Sequence, residues 1–429
     1  MANLKRVVIT GMATINPIGD TLEGYYESMM AGKSGVKKWH SIDVSKVECK
    51  LGGDLGDYDF AAALERKKPF LSEEQYKKIR KLYRNMTFSN KSAVITALEA
   101  FIDAGLFGKD FDPYRISAMV GGHNFNTKYV MEQIHQFDKE PEYIDPLYGI
   151  EALDPNIPGT ISEVLGIQGP AYNLGAACAS GNIALRDGFR DIVTGECDAS
   201  VISGPIWDMN ESDVHAMGYL SALVVDPQWL ECPEKASRPF DIKRSGFIAS
   251  HGAATVVIED LDHAKARGAK IYAEILGVAA NANANHLPQP SADAQSALML
   301  NLMKMGGIRP EQVDFISCHA TGTPLGDDTE LAAIKKAFGA HAYKMKVNAP
   351  KSLMGHTCWA APLVELVGAV LQMNHGRLHQ TINIDELDPS IDLDVCKDGP
   401  VDYPVNIFIK NSFGFGGLNC CSLIKKYEG

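Results

Sequence analysis

Short apolar, β-rich runs alternate along the chain with longer stretches whose apolar positions recur at helical spacing. The runs fall at residues 7–10, 116–120, 199–203, 254–258, 271–277, 313–317 and 407–411. Among the helical stretches, residues 90–105 carry Ala93, Ala97, Ala100 and Ala104 on one face, and residues 360–373 are apolar almost throughout. This alternation predicts an α/β fold of stacked layers around mainly buried sheets. No low-complexity or Pro/Ser-rich linker interrupts it, and no repeat is visible in the residues. If the chain has two halves, the break lies at Ala264-Lys-Ala-Arg-Gly268, giving units of 1–266 and 267–429.

A length of 429 residues with 45% hydrophobic composition is enough for a large core and more than one domain-sized unit. Met1-Ala-Asn-Leu-Lys-Arg6 runs directly into Val7-Val-Ile-Thr10, which is unlike a signal peptide. No segment has the roughly 18 apolar residues that a membrane-spanning helix needs, so the expectation is a cytoplasmic protein without a membrane partner. A net charge of -12 argues against nucleic acid. The nine cysteines are scattered from Cys49 to Cys421 without a CxxC pair, which predicts free thiols and no metal site. The exception to the acidic balance is Arg66-Lys-Lys68 with Lys77, Lys78, Arg80, Lys81 and Arg84, the second group around Ile79 and Leu82. Taken alone this is a solvated helix face; an acidic partner would make it a docking surface.

The candidate chemistry lies in three distant segments. Cys178, in Leu174-Gly-Ala-Ala-Cys-Ala-Ser-Gly181, is expected where a strand turns into a helix. The helix dipole there favours loss of the thiol proton, and the small neighbours leave room for substrate; the ordinary alternative is a small buried hydrophobe. His319, in His319-Ala-Thr-Gly-Thr-Pro-Leu-Gly326, follows a strand end, where α/β proteins build sites. His356, in Lys351-Ser-Leu-Met-Gly-His356, is expected to open a helix. A neutral histidine so placed can donate Nε2–H to an oxygen gaining negative charge, and a pair of such donors suits an enolate. Asn411-Ser-Phe-Gly-Phe-Gly-Gly-Leu-Asn419 is expected to be a loop whose glycines let backbone N–H groups approach a ligand. Phosphate binding is the rival reading, but the chain has no GxxxxGK[ST] and no GxGxxG after a strand.

Together these segments, with Arg6-Val-Val-Ile-Thr-Gly-Met12, Ala236-Ser-Arg-Pro-Phe-Asp241 and Gly268-Ala-Lys-Ile-Tyr-Ala-Glu274, resemble the β-ketoacyl-acyl-carrier-protein synthases over essentially the whole chain. The resemblance implies a thiolase fold, two similar halves in five α-β-α-β-α layers. It implies a ping-pong condensation: Cys178 takes an acyl chain, then His319 and His356 stabilise the enolate from malonyl decarboxylation. It further implies an oxyanion hole from the N–H groups of Cys178 and Phe415, Lys351 and Glu330 ordering the histidines, and Thr321 and Thr323 holding the pantetheine arm. Phe415 corresponds to an aromatic gate, Phe413 and His123 to substrate-binding positions, and Lys77 and Lys78 to the docking site for an acidic acyl carrier protein. No cofactor is implied beyond the phosphopantetheine that arrives on the carrier. A homodimer, or a heterodimer with a chain-length-factor paralogue, is implied.

The chain also departs from the family pattern. Gly121-Gly-His-Asn-Phe-Asn126 replaces an apolar pocket segment, Leu418 replaces a threonine, Trp359 and Pro362 stand where small residues are usual, and His251 lies in Ser250-His-Gly-Ala-Ala254. Polar lining disfavours a bare alkyl tail, so a keto-bearing or conjugated chain is the better guest. The expectation is therefore a type II polyketide ketosynthase, in family terms its alpha subunit, with a fatty-acid elongating synthase as the alternative. A thiolase-like enzyme would carry a second cysteine before the terminal glycines, whereas Cys420 and Cys421 follow them. A silent partner subunit would lack the nucleophile that this chain keeps.

Overall fold

The computed structural model describes residues 4–108, 111–287 and 289–429; Met1–Asn3, the start of the N-terminal segment considered above, lie outside them. Its main sheet contains β1 (Val7–Ile15), β2 (Ile116–Gly121), β3 (Ala171–Leu174), β4 (Ala199–Gly204), β5 (Ala253–Asp260), β6 (Ala273–Ala282), β7 (Phe315–Ser317), β8 (Lys346–Asn348), β9 (Ile407–Gly414) and β10 (Leu418–Lys426). Their order is β8-β7-β9-β10-β6-β1-β5-β4-β2-β3.

That order is one pattern written twice outward from the centre. In the first half β1 is antiparallel to β5 and β5 to β4, after which β4, β2 and β3 run parallel. In the second, β6 is antiparallel to β10 and β10 to β9, after which β9, β7 and β8 run parallel. The halves join where Val7, Val8 and Ile9 face Ile275, Glu274 and Ala273. The duplication that no repeat in the residues reveals is plain in the topology.

The helices that matter here are α1 (Glu73–Tyr83), α2 (Phe88–Asp103), α3 (Thr127–Lys139), α4 (Asn156–Leu165), α5 (Ser180–Thr194), α6 (Glu211–Tyr219), α7 (Ala292–Met305), α8 (Pro324–Phe338) and α9 (Ala361–His375). Helices α5 and α9 each touch strands of both halves and so form the middle layer. Helix α2 covers β1 and β5, α4 covers β2 and β3, α7 covers β6 and β10, and α8 packs on α7. This is the five-layered arrangement expected from the sequence. Position explains composition: α9, enclosed on all sides, is buried from Ala361 to Met373, and a helix hydrophobic all round has no other stable place in a globular protein.

Two expectations need revision. Residues 271–277 form a strand only from Ala273, and it continues to Ala282. Residues 411–419 are not a loop: Asn411, Ser412, Phe413 and Gly414 pair with Cys421, Cys420, Asn419 and Leu418 in a hairpin closed by Phe415, Gly416 and Gly417. Gly416 and Gly417 take φ of 79° and 72°, the left-handed conformation that glycine adopts without strain. No helix among the described residues is long and apolar enough to cross a membrane.

Candidate active site

The carboxyl ends of β3, β7 and β8 each lead into a turn carrying one element of the site. After β3 the chain makes a short 3-10 turn, Ala177–Ala179, before α5. Ala177 sits at φ 47°, a left-handed conformation costly for a residue with a Cβ. The turn is held there because Ser180 Oγ donates to Ala177 O at 2.6 Å and accepts the Ala176 N–H at 2.8 Å. The hairpin strand β9 closes on this turn at Gly414, where a Cβ would lie 2.7 Å from Ala176 O. Cys178 is thereby presented at the end of a buried apolar cluster, 8% exposed.

The thiol differs from expectation in one respect. Burial pushes Cys178 up to about 11, outweighing the downward pull of Lys351 and of the Phe415 and Cys178 backbone N–H groups. The helix terminus does not by itself make a resting thiolate. Both N–H groups nonetheless lie close enough to the sulfur to act on it.

His319 and His356 meet with ring centroids 5.4 Å apart at 84°. Lys351 Nζ lies 3.4 Å from His319 Nδ1 and donates to His319 O at 2.6 Å. The Cys358 N–H donates to His356 Nδ1 at 3.2 Å. With each Nδ1 facing a donor, the neutral rings carry their protons on Nε2. Burial first, then Lys351, holds both imidazoles well below the ordinary histidine range. His356 does not open a helix, as the sequence suggested: it bridges to Ala249, and a 3-10 turn, Cys358–Ala360, precedes α9. Its neutrality comes from burial beside an ammonium.

Glu330, on α8, acts on backbone: it accepts the His319 and Ala320 N–H groups at 2.9 and 2.7 Å, and Asn411 Nδ2 at 2.9 Å. A cavity of about 370 Å³ brings Cys178, His319, His356, Thr321, Thr323, Phe413 and Phe415 together. Thr321 and Thr323 share a hydrogen bond of 3.0 Å on its wall.

Five residues singled out from sequence lie elsewhere. The His123 ring packs on the Trp359 indole, centroids 4.4 Å apart, and is not among the side chains that line the cavity. Lys77 and Lys78 are exposed on α1, which Ser72 and Gln75 start with a capping box and which buries Tyr76 and Ile79. Lys77 pairs with Glu73 at 2.6 Å and Lys78 approaches Glu163 at 3.5 Å. Leu418 stands outside the cavity lining, and His251 lines a separate groove with Lys128 and Asp208.

Comparison with known families decides the lineage. Residues 4–264 match the beta-ketoacyl synthase N-terminal domain and residues 272–385 the beta-ketoacyl synthase C-terminal domain. The chain belongs to the β-ketoacyl synthase family. It is 33% identical, over the full length of both chains, to 3-oxoacyl-[acyl-carrier-protein] synthase 2 of Synechocystis sp.. It is 30% identical to the polyketide biosynthesis malonyl-ACP decarboxylase PksF of Bacillus subtilis, covering 99% of this chain and 98% of that one. Among solved structures, the type II PKS ketosynthase of the AntDE:AntF complex with its acyl-carrier protein matches with a TM-score of 0.87 at 26% identity, covering 99% of this chain and 100% of that one. The ishigamide ketosynthase/chain length factor matches with the same TM-score at 28% identity and the same coverage. The fold is therefore the thiolase fold of the ketosynthases.

Reading this β-ketoacyl synthase from sequence missed Glu365 and Lys410. Glu365, in the middle of α9, lies 2.6 Å from Lys351 Nζ and 2.7 Å from Lys410 Nζ, and all three side chains are buried. The carboxylate balances the ammonium that faces His319. Both residues left a signal: each is the single charged side chain in an otherwise apolar run, and a buried charge requires a partner.

Proposed function

We propose that the protein catalyses decarboxylative Claisen condensation of an acyl chain carried on Cys178 with malonyl-acyl carrier protein, extending a polyketide or related chain in a type II system. The observation that carries this reading is the single cavity in which Cys178 faces His319 and His356, both neutral and both with Nδ1 engaged. Cys178 sulfur attacks the acyl thioester, and the N–H groups of Cys178 and Phe415 receive the oxyanion. As the tetrahedral intermediate collapses, the proton lost from the Cys178 thiol passes to the departing carrier sulfur, which leaves as the free carrier thiol. The phosphopantetheine arm of malonyl-carrier then lies along Thr321 and Thr323, with its thioester oxygen between the two Nε2–H donors. Carbon dioxide leaves, the enolate attacks the acyl carbon, and the Cys178 thiolate is released and reprotonated as the β-ketoacyl-carrier forms. Lys351 and Glu330 are positioning residues, the first fixing His319 Nδ1 and the second its backbone.

A polyketide-type chain is favoured over a saturated one by the lining beyond the sulfur. The Trp359 Nε1–H is buried without a hydrogen-bond partner, and a keto oxygen offers what an alkyl chain does not. We further infer a dimer, either with a second copy or with a paralogous chain-length factor. β3 pairs with β2 alone, leaving an open edge with Tyr172 exposed, and α3 buries no side chain while exposing Ile134 and Phe137. Lys77 and Lys78 on α1 would receive the acidic carrier protein. The nine free cysteines accord with a cytoplasmic location.

The test offers malonyl-carrier together with either a β-ketoacyl or a saturated acyl carrier protein of equal length and follows products by mass. Preferred extension of the β-ketoacyl chain supports the reading. Preference for the saturated chain would leave fatty-acid elongation, and no condensation with either would end the condensing assignment.

A further inference from the structure

An acyl chain on Cys178 needs space distinct from the channel through which malonyl-pantetheine arrives. The cavity runs from exposed Leu325, past Thr323 and Thr321, to Cys178 and Phe247. During condensation that route is filled by the incoming arm, so the tail must lie on the inner side of the sulfur. That side is occupied. The 3-10 turn bearing Cys178 packs against the turn Cys358–Ala360, and Cys178, Trp359, Trp207 and Phe125 belong to one continuous apolar cluster. Trp359 is 9% exposed and is stacked between two rings, Trp207 at 4.8 Å and 25°, and His123 at 4.4 Å and 30°.

The stack is anchored on both sides. Trp207 Nε1 donates to Thr127 Oγ1 at 3.1 Å at the start of α3. A Cβ on Gly122 would lie 2.2 Å from the Phe125 ring and 3.0 Å from Trp359 Cβ, so the backbone there is already closed on the base of the Trp359 side chain. Moving such a ring costs more than rotating a free side chain, because close-packed interiors resist added volume.

We propose that Trp359 is a specificity-determining residue, the end wall that limits the length of acyl group Cys178 accepts. This rests on the condensing reading above and deepens it. Short acyl groups fit between sulfur and indole; longer ones require the three-ring stack to break.

The experiment measures, by intact mass, the rates at which acetyl-carrier and decanoyl-carrier acylate the full-length protein, and takes the decanoyl-to-acetyl ratio for each variant. The wild type is expected to load acetyl far faster. Trp359→Ala is expected to raise the ratio at least about tenfold, the scale on which a pocket discriminates by size. Trp359→Leu, which removes less volume, is expected to raise it less and gives the reading if the alanine variant does not fold. Equal loading of both groups by the wild type, or an unmoved ratio in a folded variant, would overturn the proposal. A wild type that loads neither group at Cys178 would instead overturn the condensing reading on which it stands.

Discussion

The two halves of the sheet share one strand order, yet their matching turns do different chemistry. After β3 the first half turns within a few residues into α5 and presents one small thiol. After β8 the second half spends a short helix, Lys351–Met354, and a 3-10 turn before α9, and presents an ammonium and an imidazole. The middle helices follow suit. Helix α5 buries small residues, Gly181 and Ala184, along its first turns, whereas α9 buries Glu365, which pairs with two lysines. On the proposed roles, the duplicated frame puts the nucleophile in one half and the enolate stabilisers in the other, so each half-reaction is open to separate damage.

Substitutions sort by half. Cys178→Ala is expected to abolish chain elongation, by at least about a thousandfold, while malonyl-carrier decarboxylation persists; assays of elongated product and of released carbon dioxide separate the two. His319→Ala or His356→Ala is expected to lower decarboxylation by roughly a hundred- to a thousandfold, as for loss of one oxyanion donor, with smaller effect on acyl loading of Cys178. Equal damage to both steps in every variant would erase the distinction between the halves.

The second half also carries the electrostatic burden. Glu365→Gln leaves Lys351 and Lys410 buried without their shared carboxylate, and urea unfolding is expected to show a loss of about 3–5 kcal/mol. Its histidines set the response to acid. Because burial holds His319 and His356 well below the ordinary range, the unfolded chain binds more protons than the folded one below about pH 6.5. Their contribution is complete above that pH and falls by about 1.4 kcal/mol per pH unit for each ring below it; denaturant midpoints between pH 7.5 and 5.5 measure the slope. The smallest effect belongs to the first half. Lys77→Glu with Lys78→Glu is expected to weaken carrier binding severalfold at low salt, with the difference closing as salt rises.

Much of this was legible in the residues because local chemistry forced it. The strand runs, the helical spacing of α1 and α2, and the small-residue turns around Cys178, His319 and His356 each carry their own signal. What was not legible depended on distant partners. The fate of the Cys178 thiol turns on how deeply it is buried, which the glycines around it do not disclose. The glycine-rich segment 411–419 reads as a loop until β10 is seen to pair with it, and Gly414 is needed for contact with the Cys178 turn rather than for flexibility. The packing of Trp359 on His123 was not legible either, because nothing in the segment around His123 reveals it.

The most direct check of the arrangement around Cys178 is peptide-resolved mass spectrometry after acyl-carrier is added, followed by a chase with malonyl-carrier. The acyl mass should sit on the peptide containing Cys178 and leave it during the chase as β-ketoacyl-carrier. An adduct on another residue, or one that malonyl-carrier cannot discharge, would refute the assignment of nucleophile and paired imidazoles.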